Sequence, residues 1–416
     1  MEKLELKEIQ QSAQPSFFDA IENLKGVQVI TPSMGFKVIN SRGFTNTTNV
    51  RFVQMVDGAD NQAPHIGAPI ANSMGPTDLD IYKVEIVPGS SSAMYGMNAI
   101  NGTANFITKD PFQFQGLSIQ QKTGVNHVHD HNANAVPFSE TSLRLAKSYK
   151  KKFAFKLNGA FMKGTDWFAD NRTDVNPTAN ISTNLTGEQN PGKDQVNIYG
   201  DEPGNRKTLT LDGKQYVVSR TGYAEKDATS YGLQNIKGDA GLYYKPKPNV
   251  EISYIYRFAY LNTTYQRTNR FRLDDYLTQQ NGVFLKSNSI QFKTYLTSEN
   301  TGRSYNIRSL AENIDRSSKS DDQWFKDFSK QFNKSITDGN NVQGAMNNAR
   351  SFADIGRPQP GNDIYSDQVS NLRTINNWDY GAALKVKSYL YHTEFQHDLT
   401  SKFLAGLGKH YRLNLM

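Results

Sequence analysis

Val250 to Tyr260 reads VEISYIYRFAY. Val250, Ile252, Tyr254, Tyr256, Phe258 and Tyr260 share one face, and Glu251, Ser253 and Arg257 lie with Ile255 and Ala259 on the other. Phe153, Phe155 and Leu157 alternate in the same way with Lys156 and Asn158. Trp378 to Leu390 gives a third run, with Trp378, Tyr380, Ala382, Leu384, Val386 and Leu390 on one side and Asp379, Lys385 and Lys387 on the other. A period of two sustained over about ten residues predicts β-strands long enough to cross a bilayer at a tilt. The connections fall into two kinds. Tyr149-Lys150-Lys151-Lys152 and Lys245-Pro246-Lys247-Pro248-Asn249 are short turns, whereas the spans near 164–230 and 311–376 are long, polar and rich in Asn, Asp and Gly. A compact soluble domain rarely carries connections of that length. Within the second span, Asp322 to Phe332 is compatible with a helical turn or two.

The first hundred residues have a different character. Ser16 is placed to cap a short helix with Asp19 at its third position, Phe17, Ile21 and Leu24 fall on one face, and Gly26 is placed to end the element. Short β-like runs follow at Arg51 to Val56, Tyr82 to Val87 and Thr103 to Thr108, so a small mixed α/β module is expected. Asp57-Gly58 and Pro88-Gly89 each mark a reversal after a strand, and Ser90, Ser91 and Ser92 are placed to cap a turn through Ala93, Met94 and Tyr95. A phosphate loop is excluded, because no GxxxxGK[ST] occurs and no lysine follows the serines.

Composition narrows the field. The 416 residues hold 21 Tyr, 23 Phe and no Cys, which removes disulfides and thiolate metal sites. No stretch approaches the roughly 20 apolar residues of a spanning helix, a limit that does not apply to membrane strands. A net charge of +7 spread over this length, without a basic helical stripe, points away from nucleic acid. The opening MEKLELKEIQQSAQPSFFDAI has no apolar signal region, which on its own predicts a product that is not exported.

Ile39-Asn40-Ser41-Arg42-Gly43-Phe44, then Val56-Asp57-Gly58, then DLDIYKVEIVPGSSSAMYGMNAINGTANFITKDP from Asp78 to Pro111 resemble, in order, the signatures of the plug domain of TonB-dependent outer-membrane receptors. The resemblance covers about 100 residues. It departs at Ser90, where a proline is frequent, and at Thr103-Ala104-Asn105-Phe106, where a more aliphatic strand is usual. It implies structural roles for Arg42, Gly43, Asp57, Gly58, Glu85, Gly89, Tyr95, Gly96 and Gly102. Arg42 and Glu85 are candidates for a buried ion pair; the alternatives are a hydrated surface for both, or a barrel-wall carboxylate facing Arg42. The implied fold is a plug over 1–111 followed, over 112–416, by the opening part of an antiparallel transmembrane barrel. Following strand direction from such a plug puts both long spans outside and both short turns inside.

The function implied is active uptake of a bulky nutrient: an iron-siderophore, haem, cobalamin, an oligosaccharide or a peptide. Its partners would be the TonB-ExbB-ExbD complex and outer-membrane lipid, and its apical plug loop, around Asn61 and His65, would face the ligand. Barrels that hold a plug have about 22 strands, whereas the residues after Pro111 support roughly eight to twelve, so the chain is expected to be a truncated or split form. His127, His129 and His131 offer a candidate metal site whose plainer reading is a hydrated loop tip. No cofactor is expected. No GxSxG, HExxH or cysteine chemistry appears, so an enzyme is not expected. The alternatives are a non-transporting binding or structural module and an extracellular carbohydrate-active β-protein.

Overall fold

The structure is a computed structural model that describes residues 1–44, 47–70, 72–92, 98–126, 135–266, 270–399 and 414–415. The plug signature residues Tyr95 and Gly96 and the histidines His127, His129 and His131 lie outside the described residues.

The N-terminal module is built on a five-stranded sheet in the order β1-β8-β9-β4-β5. Its strands are β1 (Glu2–Glu5), β4 (Phe52–Val56), β5 (Ala59–Asp60), β8 (Ile81–Pro88) and β9 (Gly102–Thr108), with β4 and β9 parallel. A hairpin of β2 (Val27–Ser33) and β3 (Phe36–Ser41) and a small pair, β6 (Gln62–Ala63) and β7 (Ala68–Pro69), complete it. Ser16 caps the helix Phe17–Ala20, its side chain accepting from the Asp19 amide, as the sequence predicts. The helix delivers Phe17 and Phe18 onto Phe106, each ring centroid 5.7 Å away, at the centre of a core with Ile21, Ile39, Phe52, Val84 and Ile86. Gly26, at φ 71°, turns the chain into β2 after a single 3-10 turn at Ile21–Asn23.

From Gly116 onward the chain forms one antiparallel meander: β10 (Gly116–Asn126), β11 (Val136–Tyr149), β12 (Phe153–Thr165), β17 (Gly232–Lys247), β18 (Val250–Gln266), β19 (Arg270–Ser287), β20 (Ile290–Asn300), β22 (Lys387–Asp398) and β23 (Asn414–Leu415). β21 (Tyr305–Asn306) pairs with β19 beside this path. Among the described residues β10 and β23 stand at opposite edges, so the sheet is unclosed. Its polarity is the reverse of a soluble sheet. Phe153, Leu157, Phe161, Leu242, Tyr254, Val283 and Leu296 point to the free face and are exposed. Arg144, Lys156, Asn158, Arg257 and Gln280 point to the other face and are buried under the N-terminal module. That is the arrangement of a wall with lipid outside and a filled interior. No described helix is long and apolar enough to cross a membrane, a fact that says nothing about strands.

The run at Trp378 to Leu390 is corrected. Residues 378–386 are turn and irregular structure: the Trp378 indole donates to the Ala383 carbonyl and its ring packs on Phe271, and Ala383 bridges to Tyr305. The strand starts at Lys387, and its outward positions are Tyr389, Tyr391 and Phe395, so Leu390 lies on the inner face.

The two long polar spans are not open loops. They pack into one cap at the end of the sheet opposite the short turns. β13 (Ile198–Tyr199) pairs with β16 (Tyr223–Ala224), and β14 (Arg206–Leu211) with β15 (Lys214–Ser219). Helices Ile307–Ser318, Asp321–Thr337, Val342–Ala353 and Asp363–Leu372 start at Asn306, Ser320, Asn341 and Asn362, each of which caps its helix with its side chain. Trp324, Phe325, Phe328 and Phe332 of the second helix meet Leu211, Tyr216 and Val218 in a closed apolar core.

Candidate functional site

Antiparallel register aligns one inner-face position of each wall strand: Arg144 opposite Asn158, Asn158 opposite Asp239, Asp239 opposite Arg257, Arg257 opposite Gln280, and Gln280 opposite Thr297. This polar row crosses six strands and meets carboxylates of the N-terminal module. Asp80, fully buried, accepts from Arg144 Nε at 2.8 Å, Lys156 Nζ at 2.8 Å and Asn158 Nδ2 at 3.1 Å. Lys156 also donates to Thr108 Oγ1 at 2.8 Å, and Asn158 to Asp239 at 2.7 Å. Asp57, at φ 54° before Gly58 at φ 79°, makes the reversal the sequence predicts. Its carboxylate accepts from the Thr108 amide at 2.9 Å and from Arg257 at 3.0 Å. Asp78 pairs with Lys122 of β10.

At the ion pairs between the two, the inner module supplies the acids and the wall the bases, with Asp239 as a wall acid inside the row. Charges this deep persist only when paired and hydrogen-bonded. The expected Arg42–Glu85 pair does not form. Arg42 is exposed at φ 54°, and its guanidinium lies over Gly89, where a Cβ would sit 2.5 Å from it. Glu85 instead binds Lys83, two residues away on the same strand face, at 2.7 Å. Gly102, at φ 133°, has no room for a side chain, because a Cβ would meet the Val87 carbonyl at 2.8 Å.

Nearer the cap, the buried wall carboxylate Glu299 accepts from the His65 amide at 2.6 Å and from Tyr276 at 2.6 Å. Lys237 donates to the Asn72 carbonyl at 3.0 Å. Asn61 is buried, its side-chain amide bound to the Met74 carbonyl at 2.6 Å, whereas the His65 side chain is exposed. Burial pushes the Asp60 carboxyl up to about 6, against the opposing pull of the Gln62 amide and Lys293.

Between the β2–β3 hairpin and the cap lies a chamber of about 610 Å3, lined among others by Ile30, Pro32, Trp167, Tyr199, Arg270 and Arg308. Arg270 is buried and bonds Glu225 at 2.6 Å through one terminal nitrogen, while its Nε and second terminal nitrogen have no partner among the described residues. Tyr199 and Tyr231 donate to the same carboxylate at 2.6 and 2.8 Å, so Glu225 is saturated and Arg270 is not. Sequence reading missed this chamber, because its residues come from separate segments.

In the cap, burial raises Asp201 to about 8, with Glu202 and Asp194 adding to the shift against the Gln195 amide. A carboxyl raised in the folded state binds more protons there than in the unfolded chain, so stability falls as pH rises through the window from about 4 to about 8. The cap should melt lower at pH 8 than at pH 5. Asp201→Asn should flatten that dependence in a thermal melt followed at several pH values.

Residues 2–103 match the family described as TonB-dependent Receptor Plug Domain, and this part of the chain is such a plug. It is a non-catalytic module. The wall that follows is an antiparallel sheet that is unclosed among the described residues. No curated protein matches the chain. Among solved structures, a mutant of the ferric enterobactin receptor from Pseudomonas aeruginosa, in complex with enterobactin, is 15% identical, with a TM-score of 0.41, over 73% of this chain and 41% of that one. The siderophore receptor PirA from Acinetobacter baumannii is 12% identical, with a TM-score of 0.40, over 73% and 40%. The chain thus spans about two fifths of the length of these structures.

Proposed function

We propose that the chain is the plug, over 1–111, and the first part of the wall, over 112–416, of an outer-membrane receptor that takes up a bulky nutrient. The observation that carries this reading is the contact between plug acids Asp57, Asp78 and Asp80 and the wall bases Arg257, Lys122, Arg144 and Lys156, beneath a sheet whose free face is apolar. A plug held by ion pairs and hydrogen bonds can be displaced into a hydrated lumen, because water replaces each lost bond. An apolar contact of the same size would resist displacement. Force delivered by a TonB-ExbB-ExbD complex would act on that contact.

The ligand would enter the chamber under the cap. Two guanidinium nitrogens of Arg270 without a partner among the described residues favour a nutrient bearing an anionic group, and Trp167 and Tyr199 supply flat apolar surface. An iron-siderophore suits this chemistry better than an uncharged oligosaccharide. His65 remains a ligand-facing candidate through its exposed side chain; Asn61 serves the plug's own packing. Gly43, Gly58, Gly89 and Gly102 act through backbone conformation.

Deleting the complete locus and growing cells on defined iron, cobalamin and glycan sources tests the reading. A defect confined to one source, restored by the wild-type gene and at least about tenfold weaker in uptake with Arg270→Gln, is expected. Unchanged growth on every source contradicts it.

A further inference from the structure

The turn Tyr149-Lys150-Lys151-Lys152 joins β11 to β12 at the end of the wall away from the cap. Lys150 and Lys151 have φ of 50° and 53°, and the Lys152 amide bonds the Tyr149 carbonyl at 3.0 Å. Tyr149 pairs with Phe153, so three residues connect the strands, and within them Lys150 and Lys151 are the central residues of a β-turn of the type that strongly prefers Asn-Gly, because both must be left-handed. Two lysines there hold a conformation that L side chains rarely adopt. The local backbone gains nothing from them, so their value lies in what they present.

They present charge beside a hole in the apolar surface. On the free face of β11, β12, β17 and β18 lies a groove of about 480 Å3, whose lining includes Lys147, Tyr149, Phe153, Leu242, Tyr244 and Tyr254. Phe153 and Tyr244 sit opposite each other across the strands and stack at 4.7 Å. These are interior strands of the sheet, so the groove does not arise from an open edge. Lys147 points to the same outward face, opposite Phe155, and reaches the rim. Among the described residues, Lys147, Lys150, Lys151 and Lys152 form no ion pair. The nearby Lys245, by contrast, is neutralised by Glu251 at 3.1 Å. Lys150 lies over the Tyr149 ring, its nitrogen 5.1 Å from the centroid.

We propose that this groove is a site for one anionic phospholipid of the inner leaflet, with an acyl chain along the Phe153–Tyr244 floor and the phosphate among Lys147, Lys150, Lys151 and Lys152. The inference rests on the membrane placement proposed above. Aromatic rings at the interface and long basic side chains reaching for headgroups are general features of membrane proteins. One lysine on the groove, Lys147, and three in the turn that adjoins its lining residue Tyr149, without an ion pair among the described residues, go further, because they discriminate by lipid charge. A zwitterionic lipid fills the groove and gains little from them.

The test is native mass spectrometry of the full chain released from detergent micelles doped with equal amounts of phosphatidylglycerol and phosphatidylcholine. Wild type should retain one phosphatidylglycerol with a preference of about tenfold or more. Lys150→Asn with Lys151→Gly gives the turn its preferred residues, so it cannot fail through the turn, and it should abolish most of that preference. Lys150→Arg with Lys151→Arg should keep it. Equal retention of the two lipids by wild type, or an unchanged preference in the Asn-Gly variant, overturns the proposal. Membrane fractionation of the same chain separates the two claims. A chain absent from the membrane overturns both readings, and an inserted chain without the preference overturns only this one.

Discussion

Asp80→Asn should loosen the plug from the wall by about 3–5 kcal/mol, the usual cost of removing one partner from a buried ion pair. Asp80 is fully buried and receives three donors, two of them charged, from β11 and β12. Asparagine keeps the shape but withdraws the charge, leaving Arg144 and Lys156 buried beside each other. Asp239, already held by Asn158, offsets part of the loss. A second change, Lys156→Met, removes one stranded cation and should recover much of the stability, since an apolar residue of similar length replaces a charge with no partner. Urea unfolding read together with trypsin cleavage inside residues 1–111 measures both. Equal protease resistance of wild type and Asp80→Asn would show that the plug is held by other contacts.

Trp324→Ala should unfold the cap while leaving the wall intact. The indole is almost fully buried, stacks on Phe328 with centroids 5.3 Å apart, meets Phe325 edge-on and donates to Asp354 at 2.8 Å. Arg220 and Arg350 lie over its ring at 5.8 and 5.7 Å. Truncation opens a cavity worth about 3–5 kcal/mol and takes one side-chain donor from the Asp354 carboxylate, which keeps Thr221. Hydrogen exchange should then rise across helices 307–372 and stay unchanged in β11, β12 and β17. Unchanged exchange in those helices contradicts the placement of the cap's core on Trp324.

Much of the plug was legible because its signals are local. Ser16 with Asp19, and Asp57 with Gly58, specify a cap and a turn within a few residues. The wall was legible as alternation, and the inward side of Lys156, Asn158 and Arg257 followed from parity alone. Which residue meets which was not, because it depends on strand register and on plug segments far away in sequence. The Arg42–Glu85 expectation failed for that reason: the acids that matter, Asp78 and Asp80, sit in the same motif, and their partners lie on strands with no motif. The error at Trp378 to Leu390 came from counting parity through Gly381, where the chain is not extended. Of the cap helices the sequence offered only a turn or two at Asp322 to Phe332, within the helix Asp321–Thr337; the other three were missed although Asn306, Asn341 and Asn362 are ordinary N-cap residues. Their buried faces are short and, in helix 342–353, made of Ala345, Ala349 and Ala353 with Met346 as its one large residue, which gives little hydrophobic contrast.

The wall wears its apolar face outward and wraps a polar-bound plug. Nitroxide scanning of β12 from Phe153 to Phe161, with the chain in lipid bilayers, tests it most directly. Oxygen collision rates should alternate with a period of two, high at Phe153, Phe155, Leu157, Gly159 and Phe161 and low at Ala154, Lys156, Asn158 and Ala160. The opposite phase, or a profile without alternation, would contradict it.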